Sequence, residues 1–282
     1  MSKNIKYQMC RALENQLQLG TSKRADERAH AGRAAYIHSA GTMRTYIQHA
    51  RQYGDYLRNH GLNHATMAEA QEHAHEYIKS QSSTWSQHAA RSALARVFGV
   101  DGRCLCELEG RNRHAITRGR DQTARADAID RNHADLAEIG RSCGARHSEL
   151  ERLRCEDIHE RDGDLYVHIR GKGGKERDAL ILPGRGRELI ARAVETRGRG
   201  CIVDRVPSGA NVHAWRADYA ARCYNYALQH GKSSGEKYQP RDGSKTTWDK
   251  GALAFVSENL GHGEDRCYTV YTNYLSYGRS DK

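Results

Sequence analysis

The 282-residue sequence predicts a mainly α chain with a small β-sheet. It divides into a helical N-terminal domain, 1–112, and a mixed α/β C-terminal domain, 113–282. Three observations lead there. Apolar residues recur at three- and four-residue steps through the first hundred positions. A short run near 165–169 alternates apolar and polar and ends in a glycine-rich turn. Between these regions, 101–128 is rich in arginine and glycine and loses its periodicity, as an interdomain linker does.

The elements follow in order. Residues 10–40 carry arginine and alanine on most faces and predict one or two helices. In "TMRTYIQHARQYGDYLRNHG", Met43, Tyr46, Ile47, Ala50, Tyr53 and Leu57 form one apolar stripe, with Thr42 as N-cap and Gly61 as stop. "TMAEAQEHAHEYIKSQ" opens with Thr66 and Glu69 at capping-box spacing. "STWSQHAARSALARVFG" aligns Trp85, Ala89, Leu94, Val97 and Phe98, then stops at Gly99. Beyond the linker, two helices are predicted, broken near 142–144. Leu165, Val167 and Ile169 share one side of a hairpin whose turn is "GKGGK". After Pro183, "GRELIARAVETRG" is helical again. The stretch 231–251 is rich in Lys, Gly and Ser and predicts an inserted loop, mobile or part of a binding surface. No internal repeat is present.

Composition narrows the function. Lys and Arg number 45 against 35 Asp and Glu, a formal charge of +10 before any of the 16 histidines titrates. Such a surplus points to a polyanionic partner, because neutralised phosphates release counterions. No run of ~18 apolar residues exists to span a membrane, and the N-terminus lacks the apolar stretch of a signal peptide. The eight cysteines are scattered, without C-x-x-C or zinc-like Cys/His spacing, so reduced thiols and no metal are expected. A cytoplasmic, nucleoid-associated protein is the expectation.

Four segments carry chemistry. "SCGARHSELERLRCEDI" resembles the arginine box of the tyrosine recombinases, the phage-integrase family that includes the lambda-integrase, Xer and Cre-like enzymes. "RGKGGKERDALILP" resembles that family's β-hairpin with its lysine, and "HAWR" its H-x-x-R box. "LGHGEDRCYTVY" resembles the last box, a Leu-Gly-His with a tyrosine nine residues after the histidine. They occur in the family's order from Arg146 to Tyr271, about half the chain.

The resemblance implies a site-specific recombinase or integrase of double-stranded DNA, working without cofactor or metal through a 3′-phosphotyrosyl intermediate. It implies two domains closing as a C-shaped clamp on DNA, a homotetramer on two recombination sites, and a place for accessory proteins. By this resemblance Tyr271 is the nucleophile, Arg146 and Arg216 clamp the scissile phosphate, and Lys172 protonates the 5′-oxygen. His213 acts as acid/base, His262 hydrogen-bonds the phosphate and Glu149 orients Arg146. The residue types suit the chemistry. A phenol that stays attached conserves the bond energy, planar guanidinium forks match the extra charge on the phosphorane oxygens, and a lysine delivers a proton.

Competing readings remain. Lys175 competes with Lys172, and Tyr268 and Tyr274 with Tyr271. A non-catalytic DNA-binding protein on the same fold, or a relaxing topoisomerase of the phosphotyrosine type, would share much of this pattern. The sequence also departs from the family. His147 follows the first arginine in place of an aliphatic residue, and Trp215 stands where leucine is usual in H-x-x-R. The interval from Arg216 to His262 is long, and the 11 residues after Tyr271 are short for a helix donated to a neighbouring subunit.

Overall fold

The computed structural model describes residues 4–110, 123–171, 174–240, 246–262, 267–270 and 274–275; the side chains of Cys267 and Thr269 are outside the description. The chain divides into two compact units, Met1–Thr117 and Arg118–Lys282.

Unit 1 is helical. It comprises α1 (Ile5–Glu14), α2 (Lys23–Ala29), α3 (Ala40–Asn59), α4 (Met67–Glu72), α5 (Ala74–Lys79), α6 (Thr84–Phe98) and α7 (Gly102–Leu105). The stripe on α3 buries Met43, Ala50, Tyr53 and Leu57, with Tyr46 and Ile47 half-covered beside them. These side chains meet Met9 and Leu13 of α1 and Leu94 of α6 in one core. Each large apolar side chain so buried contributes about 1.5–3 kcal/mol. At Gly54 α3 lies close against α1, since an added Cβ would lie 2.8 Å from Lys6 Cβ.

Three details of unit 1 differ from expectation. The N-cap of α3 is Ser39, whose hydroxyl accepts the Thr42 N–H at 3.1 Å, so the helix begins before Thr42. Trp85 is 39% exposed, because it sits in the first turn of α6 while Ala90, Ala93, Leu94 and Val97 face the core. The start of the expected linker is core instead: Leu105 and Cys106 are buried with the helices around them. Residues 111–122, the middle of that stretch, lie outside the described residues, and 124–128 are already helical. The capping box at Thr66 and Glu69 is present, and Gly99 ends α6 in the left-handed region at φ +68°.

Unit 2 begins with α8 (Ala124–Asn132), α9 (Ala134–Cys143) and α10 (His147–Leu150). An antiparallel sheet follows in the order β1 (Ile158–Arg161), β2 (Asp164–Arg170) and β3 (Glu176–Leu180). The hairpin has a third strand, β1, that alternation alone does not announce. Both faces of the sheet are covered. Val167 and Ile169 join the core with α9 and α11 (Arg185–Arg197), whereas Tyr166 and Leu180 join a second core. That second core is built on α12 (Val212–Gln229) and α13 (Lys250–Asn259).

The segment 231–251 is tied down at both ends, contrary to a free inserted loop. β4 (Lys237–Tyr238) pairs with β5 (Trp248–Asp249). The Asp249 carboxylate accepts from the Ser233 hydroxyl (2.7 Å) and from the N–H groups of Ser234, Gly235 and Ala252, so one side chain both caps α13 and pins the loop. Residues 241–245 lie outside the described residues. A short helix, α14 (Cys267–Val270), precedes Tyr274 and Leu275, both buried. Among the described residues no helix is long and apolar enough to cross a membrane.

Candidate active site

The first arginine is presented by a broken helix. α9 stops at Gly144, at φ +60°, where an added Cβ would collide with the Tyr219 ring. Two residues on, Arg146 has the extended backbone of an N-cap for α10. Glu149, at the third position of α10, accepts the Arg146 backbone N–H at 2.8 Å and the Arg146 Nη1–H at 2.8 Å. Arg177 on β3 approaches the same carboxylate from the other side, its Nη2 2.8 Å from Oε2. The glutamate side chain is 1% exposed and that of Arg177 7%. Burial alone would raise the Glu149 carboxyl, but the hydrogen bond and charge of Arg177, with the donors of Arg146, hold it down at about 2. It is an anion shared by two cations.

The second arginine is deeper. Arg216 on α12 is 1% exposed. Its Nη1 donates to the Gly144 carbonyl, its Nη2 to the Leu260 carbonyl, and its Nε to the Tyr274 hydroxyl at 3.0 Å. No described carboxylate pairs with it. Burial, and then the neighbouring charges of Arg146 and Arg177, lower its pKa from the ordinary arginine value. Trp215, beside it in "HAWR", lies against Gly140, where an added Cβ would be 2.6 Å from the indole. Its Nε1–H donates to Asp130 at 3.0 Å, a bond the usual leucine could not make.

The two arginines meet at the turn after α13. The Leu260 carbonyl accepts from Arg146 Nη2 (3.5 Å) as well as from Arg216, and the Asn259 carbonyl accepts from Arg177 Nε (2.9 Å). Gly261 completes the turn at φ +69°, with the Arg177 side chain 3.0 Å from where a Cβ would sit. The turn delivers His262, whose Nε2 is 3.3 Å from the Tyr274 hydroxyl. Arg146, Glu149, Arg216 and His262 are therefore assembled from three elements around one turn. His213 is exposed on the first turn of α12. Lys172 and Tyr271 lie outside the described residues.

The rival tyrosines part company. Tyr268 is 41% exposed, with its ring 4.3 Å from that of Tyr238. Tyr274 is buried on Arg216. Two residues of the cluster, Arg177 and Asn259, escape sequence reasoning, and Tyr274, a rival nucleophile in the sequence, is a hydrogen-bond partner of Arg216 here. Arg177 does leave a signal. Strand register sets it opposite Ile169, an inward position, and an arginine there demands a buried acid. Asn259, 4% exposed, spends its amide on the Leu180 N–H and the Phe255 carbonyl, which fixes the turn to β3.

Two guanidinium groups thus share one carboxylate, and a third, fully buried, meets Arg146 at the Leu260 carbonyl, leaving two positive charges in excess. Such a site is built for an anion.

No protein-family model matches the chain, and no curated protein does. Solved structures do. The XerH site-specific recombinase bound to difH substrate in a pre-cleavage complex is 14% identical over 98% of this chain and 95% of its own, with a TM-score of 0.50. The XerH post-cleavage complex on palindromic difH is 15% identical over 94% and 84%, at 0.47. The XerA recombinase is 14% identical over 95% and 93%, at 0.32. The pre-cleavage likeness defines the fold, a mainly helical chain with a small antiparallel sheet. This is the tyrosine-recombinase fold that the four sequence boxes resemble.

Proposed function

We propose that the chain is a site-specific DNA recombinase that cleaves and rejoins strands through a 3′-phosphotyrosyl intermediate. The observation that carries this is Arg216, a buried guanidinium without a described carboxylate, set beside Arg146 at the Leu260 carbonyl. A scissile phosphate supplies the missing negative charge. The XerH complexes hold their difH substrate, and by that likeness this chain takes duplex DNA. Residues 1–112 act as the core-binding domain and 113–282 as the catalytic one, in a tetramer on two sites.

In this reading the Tyr271 phenolic oxygen attacks phosphorus while its proton passes to His213. The bond from phosphorus to the 5′-oxygen breaks, and Lys172 gives that oxygen a proton. Arg146, Arg216 and His262 hold the non-bridging oxygens, and Glu149 keeps Arg146 in place. Rejoining is the reverse step, with a 5′-hydroxyl as nucleophile.

Covalent capture tests it. The protein is incubated with a pool of random-sequence duplexes carrying bridging 5′-phosphorothiolates, and adducts are resolved on a denaturing gel. Wild type, Tyr268→Phe and Tyr274→Phe are expected to form adducts, and Tyr271→Phe none. An adduct that survives Tyr271→Phe and disappears in either other variant overturns the assignment.

A further inference from the structure

Unit 1 holds a second concentration of arginines, far in sequence from the Arg146 cluster. A cavity of about 310 Å³ is lined by Arg33, Tyr46, Arg91, Arg96, Asp101 and Arg103, among others. The way these arginines are held matters more than their number. Arg96 donates to the carbonyls of Ala34 and Ala35, Arg33 to that of Val100 (2.9 Å), and Arg91 to that of Cys106 (3.0 Å). Carbonyl oxygens orient a guanidinium without neutralising it, so the charge stays on offer to a ligand.

The one acid among the described lining residues does not restore the balance. Asp101 caps α7, accepting the Arg103 N–H at 2.8 Å, and lies 3.4 Å from Arg33. The Arg103 N–H, with the nearby arginines, holds its carboxyl below the usual range, so it counts as one negative charge against four positive. Each guanidinium carries five N–H donors, and each carbonyl contact engages only one or two of them. Gly102 keeps the wall close, since an added Cβ would meet Arg91 Cγ at 3.3 Å. The half-buried ring of Tyr46 supplies an apolar side.

The geometry points to a phosphate-binding site in unit 1: a cavity in which carbonyl-anchored arginines receive a phosphate group. Guanidinium forks match phosphate oxygens in pairs, and an excess of three positive charges suits a multiply charged oxyanion. The phosphate belongs either to the backbone of bound nucleic acid or to a free polyphosphate-bearing molecule. This goes beyond the strand-cleavage reading and does not depend on it.

The test uses the full chain and two probes, a duplex oligonucleotide across a series of salt concentrations and inorganic pyrophosphate by calorimetry. Arg33→Gln/Arg103→Gln removes two exposed charges from the cavity, and Arg103→Gln alone guards against a folding defect. Arg192→Gln/Arg199→Gln removes the same charge from exposed positions of unit 2. If the site holds backbone phosphate, the cavity variant lowers the slope of log affinity against log salt by ~0.9 for each phosphate left without its arginine, beyond the control. If it holds a free polyphosphate, pyrophosphate binds wild type one-to-one and the cavity variant at least tenfold more weakly, with duplex binding as in the control. Identical behaviour of the cavity and control variants towards both probes overturns the site. None of these readouts involves the covalent adduct, so this site and the Tyr271 chemistry stand or fall separately.

Discussion

Replacing Glu149 with glutamine tests the electrostatics of the arginine cluster directly. The carboxyl is held at about 2 against an ordinary 4.5. At 1.36 kcal/mol per tenfold, that depression corresponds to about 3 kcal/mol of folding free energy from the ionised form. The direction follows from the depressed value. This stability is fully present above pH 4.5 and is lost as pH falls towards 2. The glutamine amide would be neutral at every pH, and it would turn an N–H donor towards Arg177 or Arg146. Glu149→Gln should therefore cost unit 2 about 3 kcal/mol at pH 7, within the range for breaking a buried pair. The deficit should shrink steadily below pH 4.5. Urea unfolding monitored by tryptophan fluorescence measures it, since Trp215 is buried in unit 2 and Trp85 in unit 1 is exposed. A deficit under ~1 kcal/mol, or one that stays constant from pH 7 to pH 3, would refute the account of a shared anion.

Other expectations are as specific. Gly144→Ala forces a side chain into a left-handed position and against the Tyr219 ring, so thermal unfolding should show a loss of about 2–4 kcal/mol. Arg177→Lys keeps the charge but cannot bond Glu149 and the Asn259 carbonyl together. Adduct formation should slow more than tenfold with DNA affinity nearly unchanged, and an equal loss of affinity would mean that Arg177 acts on binding instead. Thr66→Ala removes the hydroxyl that caps α4 and should lower the stability of unit 1 by about 1 kcal/mol in denaturant, with adduct formation intact.

The elements legible in the sequence are those whose causes lie within a few residues. The stripe on α3, the capping box at Thr66 and Glu69, and the glycine stop at Gly99 are local transactions between neighbouring backbone groups and side chains. Where two local solutions compete, sequence reading slips by a few residues, as with Ser39 in place of Thr42 at the start of α3. Spacing assigns Trp85 to the core, yet the first turn of α6 leaves it outside.

The cluster around Leu260 is of another kind. The contact of Arg146 with the Leu260 carbonyl spans 114 residues, and that of Arg177 with Asn259 spans 82. Box order in the sequence singles out Arg146, Glu149, Arg216 and His262, but neither the burial of Arg216 nor the sharing of Glu149 with Arg177 follows from spacing. Helices and caps can be read from a short window because the backbone satisfies its own hydrogen bonds nearby. A buried charge takes its partner from whatever the packing of distant elements brings within reach. So the tertiary structure alone decided which arginine shares the glutamate, and which is left with its positive charge uncompensated.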